Sequence, residues 1–564
     1  MACIKLLLLL LVICNAEAKS AKILIVSYDV VASFHSHFME SLTVFLSEYH
    51  SITFLVNQLS TIKNKDLQNS ANVDIILKGN ASIDQSNKTK MEVKNGKNSP
   101  LEVIRQIAEQ TEQTTRTLFA NSRLLQQIES ENYDLMIYNS MDYGMPVLCQ
   151  YLNITCVQTI TSGLGGVHNP LSLELVNSVP YMLSSNLQLD SLSKRLKNTL
   201  LYLVDHYLRI YYFYPGMEKI AQQNGLFDSI GSPQSYWQLA ANTPEATLLY
   251  TNDAVDCHVS LPKSYTRVGG ALLSHPFLDD EYHSLMDSAS NGVVIVAFGR
   301  GYHQLSNYFL QQLMISFKQL PYQFIWSVGS KFPELMETNN SIPLNVHLAS
   351  SIPQNSLLSH PNCKLFVTHA GFGSTTEAIY NAVPVVTIPS HADQQRNSLS
   401  LTQLLNMGVS LDSNSFSSNS LTSAIQHVLN NPKYLSNARS ASNMIKNCVK
   451  GTADNRILET IDNVLSAPRR SMHKDMTEHW LNIVTADISS IIIIVLLSLF
   501  ILILATLCFA ISYNKKFIKV YLSSSKLCQD VVGFLKAHGA QYHSISVNTA
   551  MIFMYLYIIS CPTL

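Results

Sequence analysis

The stretch from Phe366 to Asn397, FVTHAGFGSTTEAIYNAVPVVTIPSHADQQRN, constrains the fold more than any other part of the chain. Phe366 to Thr368 form a short apolar run suited to a buried strand. His369, Gly371 and Gly373 follow in a turn, and Ser374-Thr-Thr-Glu377 opens a helical pattern. A strand, loop and helix in that order aim free backbone N–H groups and the positive end of a helix dipole at one spot, which suits a phosphate. A second unit follows at once: Pro384 to Pro389 reads as another apolar strand, and the loop SHADQ delivers His391, Asp393 and Gln394. Open α/β sheets bind ligands at the edge where such loops meet.

The same punctuation recurs elsewhere. Lys22 to Ser27 (KILIVS) is apolar without alternation, as a strand buried on both faces must be. Phe38, Leu42, Phe45 and Leu46 then recur at helical spacing, so His35 and His37 stand at a strand-to-helix junction. Asp134 to Tyr138 makes a strand that ends in Asn139 and, three residues on, Asp142. Gly292 to Gly301 (GVVIVAFGRG) enters a glycine turn holding Arg300, and Gln323 to Val328 and Asn345 to Leu348 add strands. Residues 60–100, rich in Asn, Lys and Ser, read as a surface excursion, and residues 160–245 read as apolar, aromatic-rich helices.

Composition bears on compartment and partners. With 38 basic and 39 acidic side chains the net charge is −1, which offers no electrostatic footprint for nucleic acid. Residues 1–18 carry Lys5, a leucine run and a small-x-small ending, the pattern of a cleaved secretory signal. Ile488 to Ser512 is long enough to cross a hydrocarbon core of roughly 30 Å. Lys515, Lys516 and Lys519 follow it, which puts the bulk of the chain on the lumenal side. Sequons begin at Asn80, Asn87, Asn153 and Asn339. Five cysteines, Cys149, Cys156, Cys257, Cys363 and Cys448, lie between signal and span, and their odd, scattered count predicts no disulfide scaffold. The apolar tail Val547 to Leu564 is barely long enough for a second crossing, and an interfacial position fits it equally.

Pro353-Gln354, Thr368-His369, Gly371, Glu377 and Asp393-Gln394, in that order and spacing, resemble the signature of the UDP-glycosyltransferases, specifically the animal UDP-glucuronosyltransferase branch. The resemblance implies an α/β GT-B fold: two Rossmann-like domains facing across a cleft, plus one C-terminal transmembrane helix. The boundaries expected are signal 1–18, acceptor domain 19–280, UDP-sugar domain 281–465, juxtamembrane segment 466–487, span 488–512 and tail 513–564. It also implies roles. His35, followed by Met39 at the family's spacing, is the base that deprotonates the acceptor. Gln354 bonds uracil, His369 and the amides near Gly373 and Ser374 hold the diphosphate, Glu377 takes the ribose hydroxyls, and Asp393 and Gln394 grip the sugar. No metal or other cofactor is called for beyond the UDP-sugar co-substrate.

Three positions depart from the family pattern. Asn139 stands where the acidic partner of the histidine belongs, and in a serine-protease triad the change of Asp to Asn lowers turnover by about 10⁴. Asp142 is the candidate substitute. Ser351 replaces a tryptophan that stacks on uracil, a loss on the order of 1 to 3 kcal/mol by analogy with base stacking. Arg300 replaces a hydroxyl residue, and a cation there still meets a diphosphate. Local alternatives stay open as well: Ser374-x-x-Glu377 is also a capping box, Asp393 also an N-cap, Asp142 also a solvated loop acid, and either histidine also a surface residue.

Two functions are therefore expected. The first is inverting transfer of glucuronic acid or glucose from a UDP-sugar to a small lipophilic acceptor, by a single-pass protein of the endoplasmic reticulum membrane. The second is a weak or inactive relative that binds or partners. The lipid bilayer and a homo- or hetero-oligomer are the further partners the resemblance implies.

Overall fold

Apolar runs with both faces covered become parallel strands here, because only a sheet sandwiched between helices buries residues of either parity. The computed structural model describes residues 20–27, 33–56, 67, 70–77, 100–164, 188–227, 235–251, 253–256, 259, 261–273, 278–299, 306–329, 342–390, 393–448 and 451–467. The signal 1–18, Arg300, His391, the sequons at Asn80, Asn87 and Asn339, the span 488–512 and the tail 513–564 lie outside them. Among the described residues no helix is long and apolar enough to cross a membrane.

The first sheet comprises β1 (Lys22–Val26), β2 (Ser51–Val56), β3 (Val73–Leu77), β4 (Leu135–Asn139), β5 (Cys156–Ile160), β6 (Pro244–Leu249) and β7 (Tyr265–Arg267). Its order is β3-β2-β1-β4-β5-β6-β7, parallel throughout. The second sheet comprises β8 (Val293–Ala297), β9 (Gln323–Ser327), β10 (Val346–Ala349), β11 (Cys363–Thr368), β12 (Val385–Thr387) and β13 (Gly408–Ser410). Its order is β10-β9-β8-β11-β12-β13, also parallel. Both are doubly wound sheets. The winding reverses between β1 and β4 in one and between β8 and β11 in the other, and such reversals open the crevices where ligands bind.

Helices that matter for the site are α1 (Ser33–Ser47), α2 (Met145–Leu152), α3 (Leu192–Tyr212), α4 (Gln354–Ser359), α5 (Phe372–Tyr380), α6 (Gln394–Leu399) and α7 (Ala453–Ser466). α7 falls in the 281–465 stretch yet packs on the first sheet. Its Ile457, Ile461 and Val464 join Ile23, Ile25, Leu135 and Leu248 in one buried cluster. Polar ties lock it there: Asp454 Oδ1 accepts from Leu272 N at 2.8 Å, and Arg456 Nε donates to Arg267 O at 2.8 Å. Across the seam between the sheets, Phe372 at the start of α5 packs on Tyr250, with ring centroids 6.2 Å apart. A Cβ on Gly163 would stand 2.6 Å from the Phe372 ring, so only glycine lets the two halves approach this closely.

Two expectations are corrected. Residues 60–100 are not wholly an excursion: VDIIL forms the edge strand β3, paired along its length with β2. Five apolar-rich residues suffice when a neighbouring strand supplies the hydrogen bonds, even within an Asn/Lys-rich surround. The cysteines also pair. Cys149 and Cys156 form a disulfide, Cα atoms 6.5 Å apart, and Cys448 is disulfide-bonded too, while Cys363 is free. The cause of the first pairing is local. Asn153 ends α2 in the left-handed region (φ 48, ψ 48) and turns the chain back into β5, which brings residues seven apart together. Asn153 is exposed and the one sequon asparagine among the described residues.

Because Ile461 is fully buried against the first sheet, Ile461→Ala should lower stability by about 2–5 kcal/mol in chemical denaturation. A loss below about 0.5 kcal/mol, the size of a surface change, would mean α7 is not docked there.

Candidate active site

The polar residues of interest lie at the carboxyl ends of strands or in the loops and first turns of the helices that follow them. At the first reversal, His35 stands in the first turn of α1, half-buried, while His37 is exposed. His35 Nδ1 meets Thr161 Oγ1, one residue beyond β5. Asn139, the last residue of β4, is fully buried. Its Nδ2 donates to Thr161 Oγ1 at 3.0 Å and Thr159 Oγ1 at 3.3 Å, and its Oδ1 accepts from Met141 N at 3.0 Å. Asn139 thus reaches His35 through a threonine hydroxyl. Asp142 is buried, not a solvated loop acid, and its Oδ1 accepts from Gly144 N at 3.3 Å within its own turn.

At the second reversal, His369 follows β11, and its Nδ1 faces Ala297 O at 3.4 Å at the end of β8. A Cβ on Gly299 would stand 2.7 Å from His369 Nε2, and one on Gly371 would stand 2.5 Å away. Two glycines therefore make the slot the imidazole occupies. Ala370 adopts φ 62, a strained value for a residue with a side chain, and is braced on both sides. Thr368 Oγ1 accepts from its N–H at 3.2 Å, and its carbonyl accepts from Asn397 Nδ2 at 3.1 Å.

The capping alternatives do not hold. α5 is preceded by Gly371 with no side-chain cap, which places Ser374 and Glu377 inside the helix. Gln354 Nε2 instead donates to Ser374 Oγ at 3.2 Å and to Glu377 Oε2, so the three residues form one cluster. Burial pushes the Glu377 carboxyl up to about 7, and the Gln354 hydrogen bond opposes the shift. Asp393 does precede α6, yet it makes no cap bond; its Oδ2 accepts from Asn397 Nδ2 at 2.7 Å. Gln394 Oε1 accepts from Ser390 N at 3.0 Å and Ser390 Oγ at 3.1 Å. Gly373 is buried in the first turn of α5, and Ser351 is exposed, its carbonyl 3.5 Å from Tyr282 Oη.

Thr161, Gly299 and Asn397 are the residues sequence reasoning missed. A rule that takes the first polar residue past every parallel strand finds Thr161 only once Cys156 to Ile160, interrupted by Gln158 and Thr159, is recognised as a strand. A separate cavity of about 740 Å³, lined by Ser20, Tyr133, Asp134 and Thr155 among others, opens at the opposite edge of the first sheet, away from both clusters.

Solved structures share this architecture. A UDP-glucosyltransferase from Polygonum tinctorium superposes with a TM-score of 0.54 at 14% identity, covering 80% of this chain and 100% of its own. The kitacinnamycin glycosyltransferase superposes at 0.53 with 17% identity, covering 79% and 99%. The fold is that of a GT-B glycosyltransferase. The chain belongs to the family described as UDP-glucoronosyl and UDP-glucosyl transferase, whose profile matches residues 21–520 and whose co-substrate is a UDP-sugar. The 2-hydroxyacylsphingosine 1-beta-galactosyltransferase of Mus musculus is 27% identical over 353 residues, 62% of this chain and 62% of its own length. UDP-glucuronosyltransferase 2C1 of Oryctolagus cuniculus is 24% identical over 356 residues, 61% and 66% of the two chains. The matched region is thus short of two thirds of these relatives.

Gly299 has φ +61 and abuts His369. Gly299→Ala should cost about 1–2 kcal/mol from the left-handed backbone alone, read as a lower urea midpoint. An unchanged midpoint would show that the slot is not occupied as described.

Proposed function

We propose that this chain transfers a hexose, glucuronic acid or glucose, from a UDP-sugar to the hydroxyl of a small lipophilic acceptor with inversion. One observation carries the reading. Gly163, two residues past the Thr161 that meets His35, lies against Phe372, three residues past His369, so the segments that carry the two sets of polar groups touch, which supports a shared site.

In this reading the acceptor oxygen loses its proton to His35 and attacks the anomeric carbon, while the bond to the diphosphate oxygen breaks on the opposite face. The N-terminal end of α5 and the loop amides stabilise the departing UDP. Gln354 bonds uracil and Glu377 the ribose diol. Asp393 and Gln394 hold the sugar. The secretory signal, the lumenal body and the anchor in the endoplasmic reticulum membrane belong to the same proposal. α3 supports a bilayer nearby, since Leu200, Tyr207 and Tyr211 are more than 60% exposed on it. A second reading, a binding protein of little turnover, is favoured by the amide at Asn139 and the missing aromatic at Ser351.

Incubating the protein with UDP-glucuronate or UDP-glucose and a panel of phenols should release UDP, and His35→Ala should abolish the release. Equal rates in parent and variant would sink the base assignment. UDP bound with no release from the parent would favour the second reading.

Glu377 also makes binding depend on pH. Its pKa rises from 4.5 to about 7 on folding, so charging it costs stability progressively as pH climbs through that window. Ribose hydroxyls favour the carboxylate, so UDP should bind more tightly, with proton release, as pH rises through about 7. Calorimetry in buffers of different ionisation enthalpy measures this. A flat profile that Glu377→Gln leaves unaltered would remove Glu377 from the ribose site.

A further inference from the structure

We infer that Thr161, held by Asn139, locks the resting His35 ring in the tautomer that carries its proton on Nε2 and leaves Nδ1 bare. The inference deepens the transferase reading and rests on it.

Donors and acceptors leave little choice. A backbone N–H only donates, so Met141 N at 3.0 Å fixes which end of the Asn139 side chain is the oxygen. Turning the amide over would set two donors against each other. The Asn139 nitrogen therefore faces the threonines and gives one hydrogen to Thr161 Oγ1 at 3.0 Å and the other toward Thr159 Oγ1 at 3.3 Å. Thr159 passes its own hydrogen on, to Tyr138 O or Met39 Sδ, each at 3.3 Å.

Thr161 Oγ1 now has one neighbour left, His35 Nδ1, and Thr161 is 1% exposed. If Nδ1 donated, the hydroxyl would receive two hydrogens and its own would be buried without an acceptor, which is costly. The satisfied arrangement has Thr161 donating to Nδ1. Neutral imidazole carries a single ring proton, so that proton sits on Nε2.

The consequence concerns the base. A carboxylate beside Nδ1 would accept N–H and leave the Nε2 lone pair for the acceptor hydroxyl, as the aspartate does in a serine-protease triad. Asn139 and Thr161 arrange the reverse. Proton abstraction by Nε2 first requires the Thr161 hydroxyl to turn and the ring proton to change nitrogens. Thr161 and Asn139 are positioning residues, and they slow the enzyme.

The test uses the full chain in detergent with ¹⁵N-labelled histidine, and His35→Asn identifies the signal. At about pH 8, above the usual imidazole pKa, the parent should show Nε2 protonated and Nδ1 bare. In Asn139→Asp the carboxylate accepts the Thr161 hydrogen and frees its oxygen for Nδ1–H. The tautomer should reverse and UDP release should rise at least about tenfold, with UDP affinity unchanged. Thr161→Val removes the donor to Nδ1, so the preference for Nε2–H should weaken in its spectrum. A protonated Nδ1 in the parent, or an unchanged tautomer in Thr161→Val, overturns the inference, and the parent spectrum decides it even where the aspartate variant fails to fold. A parent that binds no UDP by calorimetry overturns the transferase reading instead, and the spectrum still reports the tautomer.

Discussion

The structure depends on the close approach of Phe372 to Gly163. The ring belongs to the loop-helix unit that follows β11, and the glycine follows β5 by three residues. Thr161 lies two residues before the glycine, and His369 three before the phenylalanine. That van der Waals contact brings together the segments that carry both clusters. Packing suits the task better than an ion pair, because dispersion is short-ranged and tolerates no slack. Asn355 extends the seam by donating to Leu273 O at 3.0 Å while its Oδ1 accepts from Asn381 Nδ2 at 2.7 Å.

The polar groups on either side of that contact mix neutral and ionisable side chains, with Asp142 buried on one side and Glu377 and Arg396 on the other. The acceptor side meets the imidazole with a hydroxyl and an amide. The donor side buries one carboxyl, Glu377, whose charge burial disfavours until it nears neutral pH. In the proposed reaction the diphosphate is met by His369, backbone amides and a helix terminus, and the amides and terminus are already aimed and need no reorganisation.

How much was legible in the sequence follows from which signals are local. β1, β4, β8, β11 and β12 are uninterrupted apolar runs, and they read correctly. β3 hides in an Asn/Lys/Ser-rich stretch and β7 is three residues long, so neither carries a periodicity of its own. The dock of α7 on the first sheet is non-local, and no pattern within 453–466 says which sheet its apolar stripe will meet. At the site, spacing picked His35 over His37 because a motif fixes both residue type and offset. Thr161 carried no such mark, since threonine is an ordinary strand residue. Its role appears only when three strand ends converge. The capping box at Ser374 failed because the helix begins earlier, at Phe372, where Gly371 offers no side chain to cap it.

The docking of α7 also bears on how the chain is made. The groove on the first sheet that receives Ile457, Ile461 and Val464 is built from strands that leave the ribosome hundreds of residues earlier. Until residues 453–466 emerge, that groove faces solvent, so the amino-terminal half cannot complete its core while it is the only half synthesised. Completion of that core therefore waits on residues from the far end of the chain, and until then an apolar surface is open to misassembly.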